Sequence, residues 1–266
     1  MSTAQVQYTE YPPCEHLRPH VECYWSGLSC DAELTGKSPH RVVPDGCIDI
    51  VFQFKGLPAE RPSALCQNIE ASTVVGTMSR PLIVAAPADI CFLGVRFKPG
   101  KAHAFFRVAA GELTDCVVPL DDIWGRIGSD LASRLTEQSS LSRMISNLEA
   151  ELLTRLRHTN SEDPYIQPVI RFIVDHRGAV SVESLSALAG ITRQHMARKF
   201  DYYVGINPKL FCRVIRFQHM MRSIGSLTEV DWASAALDLG YYDQAHMISD
   251  FKEFSGLTPA SFLARR

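Results

Sequence analysis

Gln194 and Arg198 lie four residues apart, which on a helix places them side by side on one face. An amide and a guanidinium held in this way can each form paired hydrogen bonds to a purine edge, Gln to adenine and Arg to guanine. Each pair carries about 1–3 kcal/mol of discrimination. Arg193, Ala197 and Lys199 belong to the same stretch. A second set of polar residues follows downstream in Gln244, Ala245, His246 and Ser249, with Ile248 among them. The two sets are related by a shift of 51 residues (246 minus 195), which superposes His195 on His246, Met196 on Met247 and Phe200 on Phe251. The same shift, without a gap, superposes Gly205 on Gly256, Pro208 on Pro259 and Phe211 on Phe262.

Elements must hold these residues in place, and their boundaries are readable. Helices are expected over Tyr165 to His176, Ser181 to Ala189, Thr192 to Val204, Pro208 to Ser223, Val230 to Leu239, Gln244 to Ser255 and Pro259 to Ala264. Starts are signalled by Ser181, Thr192, Asn207-Pro208, Thr228, Asp243 and Thr258-Pro259, and stops by Gly178, Gly190, Gly205, Gly240 and Gly256. Each copy thus reads as a small-residue helix, a glycine turn and a capped second helix, the order of a helix-turn-helix. Met196 and Phe200, like Met247 and Phe251, share one face and must point inward, leaving the opposite face for a major groove.

Charge is unevenly spread. The whole chain sums to -2, yet Ile191 to Arg222 carries seven basic residues (193, 198, 199, 209, 213, 216, 222) against Asp201 alone, a local +6. Ser223 to Arg266 carries three (252, 265, 266) against six acids (229, 231, 238, 243, 250, 253), a local -3. The first copy is therefore expected to supply most phosphate attraction.

The 266 residues favour two domains, and 46% hydrophobic with 21% charged residues excludes a disordered or low-complexity chain. In the first half, Cys47 to Phe54, Val74-Val75, Leu82 to Ala86 and Ile90 to Phe97 read as short strands. Lys101 to Phe106, Asp122 to Arg126 and Ser140 to Arg157 read as helices. The apolar stripe of Leu141, Ile145, Leu148, Leu152 and Leu156 in the last of these could close the domain or pair with a second copy. A polar segment ending in Pro164 marks a linker. The expected division is 1–158 for sensing or dimerisation, 159–164 as linker and 165–266 as reader, with the two motifs at about 181–204 and 230–255. No run of eighteen apolar residues and no export signal is seen, so the cytoplasm is the expected address and no membrane partner is expected.

The run Trp232 to Met247, followed by Asp250-Phe251-Lys252 and Gly256-Leu257-Thr258-Pro259, resembles the signature of bacterial transcription regulators of the AraC/XylS type. The resemblance covers about 100 residues and implies seven helices in two helix-turn-helix subdomains joined by the long helix Pro208 to Ser223. It also implies that two recognition helices enter successive major grooves of double-stranded DNA. The family's base-reading positions fall on Gln194, Ala197 and Arg198 and on Gln244, Ala245, His246 and Ser249. Ala197 departs from the longer polar side chain often found there. Activation is the commoner behaviour in that family, and RNA polymerase and a homodimeric partner belong to the same expectation.

Arg41 to Phe52, Gly94 to Gly100 and Glu112 to Asp115 look like an uncharacterised N-terminal domain fused to such regulators, implying a cupin-like small barrel followed by helices. The expected fold class is therefore α+β: a β-rich cupin-like N-terminal domain with flanking helices, then an all-α C-terminal domain. Arg41 and Arg96 are candidates for contact with a small-molecule effector, whereas Asp49, which alternates with apolar neighbours, reads as a structural pairing partner.

Other chemistry is weakly signalled. Cys14, His16, His20 and Cys23 contain soft-metal ligands but follow no known spacing, and the eight cysteines lack a CxxC pair. No metal or cofactor is expected. No catalytic triad, P-loop or GxGxxG stands out, which argues against an enzyme. Two alternatives stay open: a metal- or thiol-based sensor or repair domain fused to the same reader, and a constitutive regulator whose first domain only mediates association.

Overall fold

The computed structural model describes residues 7–28, 40–55, 68–84, 90–156, 163–224 and 232–263. Among the described residues the first half holds eight strands: β1 (Gln7–Tyr11), β2 (Val21–Leu28), β3 (His40–Val42), β4 (Ile48–Lys55), β5 (Asn68–Val75), β6 (Leu82–Val84), β7 (Ile90–Phe97) and β8 (Val117–Pro119). Six form one antiparallel sheet in the order β1-β2-β7-β4-β5-β8, while β3 and β6 pair separately. Along β4, Ile48, Ile50, Phe52 and Phe54 are buried and alternate with the half-buried Asp49, Val51 and Gln53, as the pleat requires of a sheet with one core face. Three helices cover that face: α1 (Leu120–Trp124), α2 (Arg126–Thr136) and α3 (Leu141–Leu156). Their buried residues, among them Leu131, Leu135, Leu148 and Leu152, join the strand residues in one apolar core.

Several expectations are corrected here. The strand expected at Val74-Val75 begins at Asn68, and β1, β2, β3, β8 and α2 were not anticipated. Lys101 to Phe106 holds only the 3-10 turn Ala102–Ala104. The stripe on α3 does not face outward for a second copy: Leu148 and Leu152 are each 1% exposed and packed in the domain's own core. The linker expected at 159–164 lies outside the described residues except for its last two positions.

Beyond residue 163 the elements among the described residues are all helices: α4 (Ile166–Asp175), α5 (Val182–Ala189), α6 (Arg193–Val204), α7 (Pro208–Ile224), α8 (Trp232–Asp238), α9 (Gln244–Ser255) and α10 (Pro259–Leu263). Gly178, Gly190, Gly205, Gly240 and Gly256 all have positive φ, between 63° and 91°, so each expected stop is a left-handed residue that glycine adopts without a Cβ penalty. The 17-residue α7 is the shared strut. Phe211, near its start, packs on Phe200 of α6 at 5.8 Å between ring centres, and Phe217, further along, packs on Phe251 and Phe254 of α9 at 5.7 and 5.4 Å.

The sheet half and the helical half are sewn together by polar contacts. Thr77 Oγ1 donates to the Val204 carbonyl, Thr114 Oγ1 to the Gly205 carbonyl, and Gln167 Nε2 to the Gly100 carbonyl. From α7, Gln218 Nε2 donates to the Pro44 carbonyl at 2.6 Å. Gly46 lies under the Phe211 ring, whose nearest carbon would stand 2.6 Å from an added Cβ.

Candidate nucleic-acid interface

Shifting α6 by 51 residues gives the bounds of α9 (193 to 244, 204 to 255), so the sequence repeat is a structural repeat. Each helix starts the same way. The Thr192 hydroxyl accepts the His195 N–H at 3.2 Å, and the Asp243 carboxylate accepts the His246 N–H at 2.7 Å, satisfying a donor that the first turn leaves without an internal partner. Met196 and Met247 are fully buried, and Phe200 and Phe251 are at most 1% exposed. With those anchors inside, Arg193, Gln194 and Arg198 are exposed on α6, while Ala197 is half-buried beside them. On α9 Gln244, Ala245, His246 and Ser249 are exposed, as are Lys252 and Glu253 further along, with Ile248 half-buried. The His246 ring leans edge-on against Tyr241 at 5.4 Å, so part of its role is to hold the turn between α8 and α9.

Local pairing redistributes the charge. Lys199 is bound to Asp163 and lies 5.2 Å over the Tyr165 ring, tying α6 to the start of α4. Arg213 is held by Asp250 and Glu253 at 2.7 and 2.5 Å, joining α7 to α9. Arg193 meets Glu183 of α5 at 2.8 Å, but both side chains are more than half exposed, so that pair is easily exchanged for another partner. Arg216 donates to the Gly178 carbonyl and sits over Tyr241. Three of the seven basic residues counted from Ile191 to Arg222 are thus ion-paired, which the sequence count did not register.

Residues 185–265 match the family described as a helix-turn-helix domain. The C-terminal part of the chain is a helix-turn-helix domain of the AraC type. Residues 9–119 match a domain of unknown function, DUF6597. Among solved structures, the fold is similar to ToxT from Vibrio cholerae O395, at 9% identity over 86% of this chain and 94% of that one, with a TM-score of 0.43. The P21 form of ToxT from Vibrio cholerae is similar at 8% identity over 86% of this chain and 95% of that one, with a TM-score of 0.45. Comparison with curated proteins gives no match.

Outside the AraC-type domain, Arg96 of β7 stands directly opposite Asp49 of β4 and bonds it at 2.9 Å, with Asp45 at 3.4 Å and the Trp25 indole N–H also donating to Asp49. Arg41 of β3 reaches the other way, its guanidinium 3.0 Å from where a Cβ on Gly256 would sit, at the C-terminal cap of α9. A cation there suits the negative end of the helix dipole. Arg41 and Arg96 are thus 55 residues apart in sequence (96 minus 41) and engaged in different contacts, one with the AraC-type domain and one within the sheet.

The metal and thiol candidates separate as well. The Cys14 amide donates to Glu149, the His20 ring packs edge-on to Phe105, and Cys23 is buried in β2. Among the described residues, no group of three or more His, Cys, Asp or Glu is gathered as metal ligands. Burial pushes the Cys23 thiol up to about 12 and Cys212 to about 11, and raises Cys47 well above its ordinary value. These three thiols stay protonated and are poor nucleophiles at neutral pH. Among the described residues, no helix is long and apolar enough to cross a membrane.

Proposed function

We propose that this DNA-binding regulator is an effector-responsive activator that binds double-stranded DNA as a homodimer, with RNA polymerase as a further partner and the bacterial nucleoid as its place of action. In this reading 1–158 senses and dimerises, 159–164 links, and 165–266 reads DNA. Arg193, Gln194, Ala197, Arg198 and Lys199 form the first contact surface, with Lys199 anchoring the helix that carries the others. Gln244, Ala245, His246 and Ser249 form the second. The supporting observation is that Gln194 and Arg198 are solvent-exposed one turn apart on α6 while Met196 and Phe200 fix the opposite face in the core.

Footprinting on genomic fragments at moderate ionic strength tests the reading. The expected result is protection of two successive major-groove contacts about 10 bp apart on one face of the duplex. Failure to select any duplex over bulk DNA overturns it. Sedimentation of the full chain tests the homodimer, and transcription from a selected promoter tests activation. Thermal stabilisation by a small molecule separates an effector domain from a purely associative one.

A further inference from the structure

The turns that open α6 and α9 differ by one residue. In the first, Gly190 and the cap Thr192 enclose Ile191 alone; in the second, Gly240 and the cap Asp243 enclose Tyr241 and Tyr242. The backbone shows which tyrosine is the extra one. The Gly190 and Ile191 amides donate to the carbonyls of Ala187 and Ser186, and Gly240 and Tyr241 repeat both bonds onto Leu237 and Ala236. Tyr241 is buried in the helical core, against which Ile191 also packs. Tyr242 thus has no counterpart in the first turn, and at 86% exposure it is the most open large apolar side chain among the described residues.

Tyr242 stands where the two motifs meet. A Cβ on Gly240 would lie 2.9 Å from the Ala179 side chain, so the turn ahead of α9 rests on the turn ahead of α5. That neighbouring turn is pinned to α7: Arg216 donates to the Gly178 carbonyl at 3.1 Å, and a Cβ on Gly178 would collide with the Cys212 carbonyl oxygen. Beside it Arg177 is exposed, with a left-handed φ of 55° and no ion-pair partner among the described residues. Burial, and then the charges of Arg177 and Arg222, hold the His219 imidazole below its ordinary value, so this corner of the molecule is cationic. The sheet half meets α6 and α9 at their other ends, at Val204, Gly205 and Gly256, and Arg177 and Tyr242 stay open.

We propose that Arg177 and Tyr242 clamp the phosphate backbone of the duplex between the two groove contacts, the guanidinium and the phenol hydroxyl each donating to a phosphate oxygen. Two major-groove contacts on one face of a duplex are separated by a minor groove edged with phosphates, and Arg and Tyr are both regular phosphate donors. The second motif needs such an anchor. Gln244, Ala245, His246 and Ser249 include no Lys or Arg, and the segment from Ser223 onward sums to -3. The clamp rests on the DNA reading proposed above and adds to it the contacts that hold the backbone.

The test is fluorescence-anisotropy titration of the full chain, at stepped KCl, with the duplex selected by footprinting and with its single-base variants. Tyr242→Phe removes the hydroxyl alone, and Arg177→Asn removes the charge while suiting a left-handed backbone. Both side chains are exposed, so neither variant threatens the fold. Each should weaken binding about tenfold, and by the same factor on every duplex, because a phosphate contact carries no base information. Arg177→Asn should also lower the slope of log affinity against log salt by about 0.9, and Arg177→Lys should restore it. Tyr242→Phe, which loses no charge, should keep the native slope. Native affinity in either variant, an unaltered slope in Arg177→Asn, or a loss confined to one base position overturns the clamp. A native chain that selects no duplex overturns the proposed function and the clamp together. If it selects a duplex that either variant binds as tightly, the clamp alone falls and the open Tyr242 ring is left to a protein partner.

Discussion

The Thr77 hydroxyl, two residues beyond the end of β5, donates at 2.6 Å to the carbonyl of Val204, the last residue of α6, and both residues are buried. Val204 is at the C-terminal end of its helix, where carbonyls lack an internal partner. The sheet half therefore completes the hydrogen bonding of α6, the helix proposed to carry the first contact surface, and Thr114 does the same for Gly205 one residue later.

Thr77→Val keeps the shape and removes the donor, leaving a buried carbonyl unsatisfied. The expected cost is about 1–3 kcal/mol in urea unfolding. Thr77→Ser, which retains the hydroxyl, should recover most of it. Equal losses in the two variants would show that methyl packing, and not the hydrogen bond, fastens the halves.

Arg198→Ala should weaken binding to a selected duplex by about 1–3 kcal/mol and relax preference at one base position. Ser249→Ala should do less, because a lone hydroxyl makes fewer and weaker contacts than a guanidinium. Gel-shift titrations against the selected site and its single-base variants compare them. Matching losses would contradict the asymmetry between the two surfaces.

Asp163 gives a pH signature. Burial acts to raise its carboxyl, but the Lys199 bond and the amides of Tyr165 and Ile166 outweigh it, and the net shift is below the ordinary value. A depressed carboxyl stabilises the fold above its unfolded pKa and loses that contribution as pH falls through its folded pKa. The advantage of the native chain over Asp163→Asn should therefore be constant near neutrality and shrink as pH drops below 3.8. Chemical denaturation of both proteins at stepped pH measures it, and a gap independent of pH would count against the assignment.

Leu148→Ala should destabilise the sheet half by about 2–5 kcal/mol, since it opens a cavity between α3 and the sheet core. Its sedimentation behaviour at pH 7 should match that of the native chain. A change in association state with stability intact would restore α3 as a surface for self-association.

Legibility in the sequence follows the range of the interactions. The seven C-terminal helices were readable because their signals are local: Thr192 and Asp243 cap, glycines stop, and Met and Phe four apart mark the buried face. The pairing of Asp49 was readable from its place between apolar neighbours in β4. β2 was missed because Glu22, Ser26 and Gly27 interrupt its apolar run, and α2 because Gly128, Ser129 and Asp130 imitate a turn while Leu131 and Leu135 pack beneath. The seam between the halves was invisible because it joins Thr77 to Val204 and Gln218 to Pro44, which are 127 and 174 residues apart and belong to no periodic pattern. The stripe on α3 was legible as apolar, but periodicity alone does not say whether such a face meets its own core or another chain.

The grip of Arg213 on Asp250 and Glu253, together with the packing of Phe217 on Phe251 and Phe254, clamps α9 to α7. A protein built as such a fixed caliper demands a fixed gauge. If the proposed reading of DNA holds, one base pair inserted between the two contacts turns the far one by about a tenth of a revolution, and helices clamped in this way should lose affinity for the lengthened site.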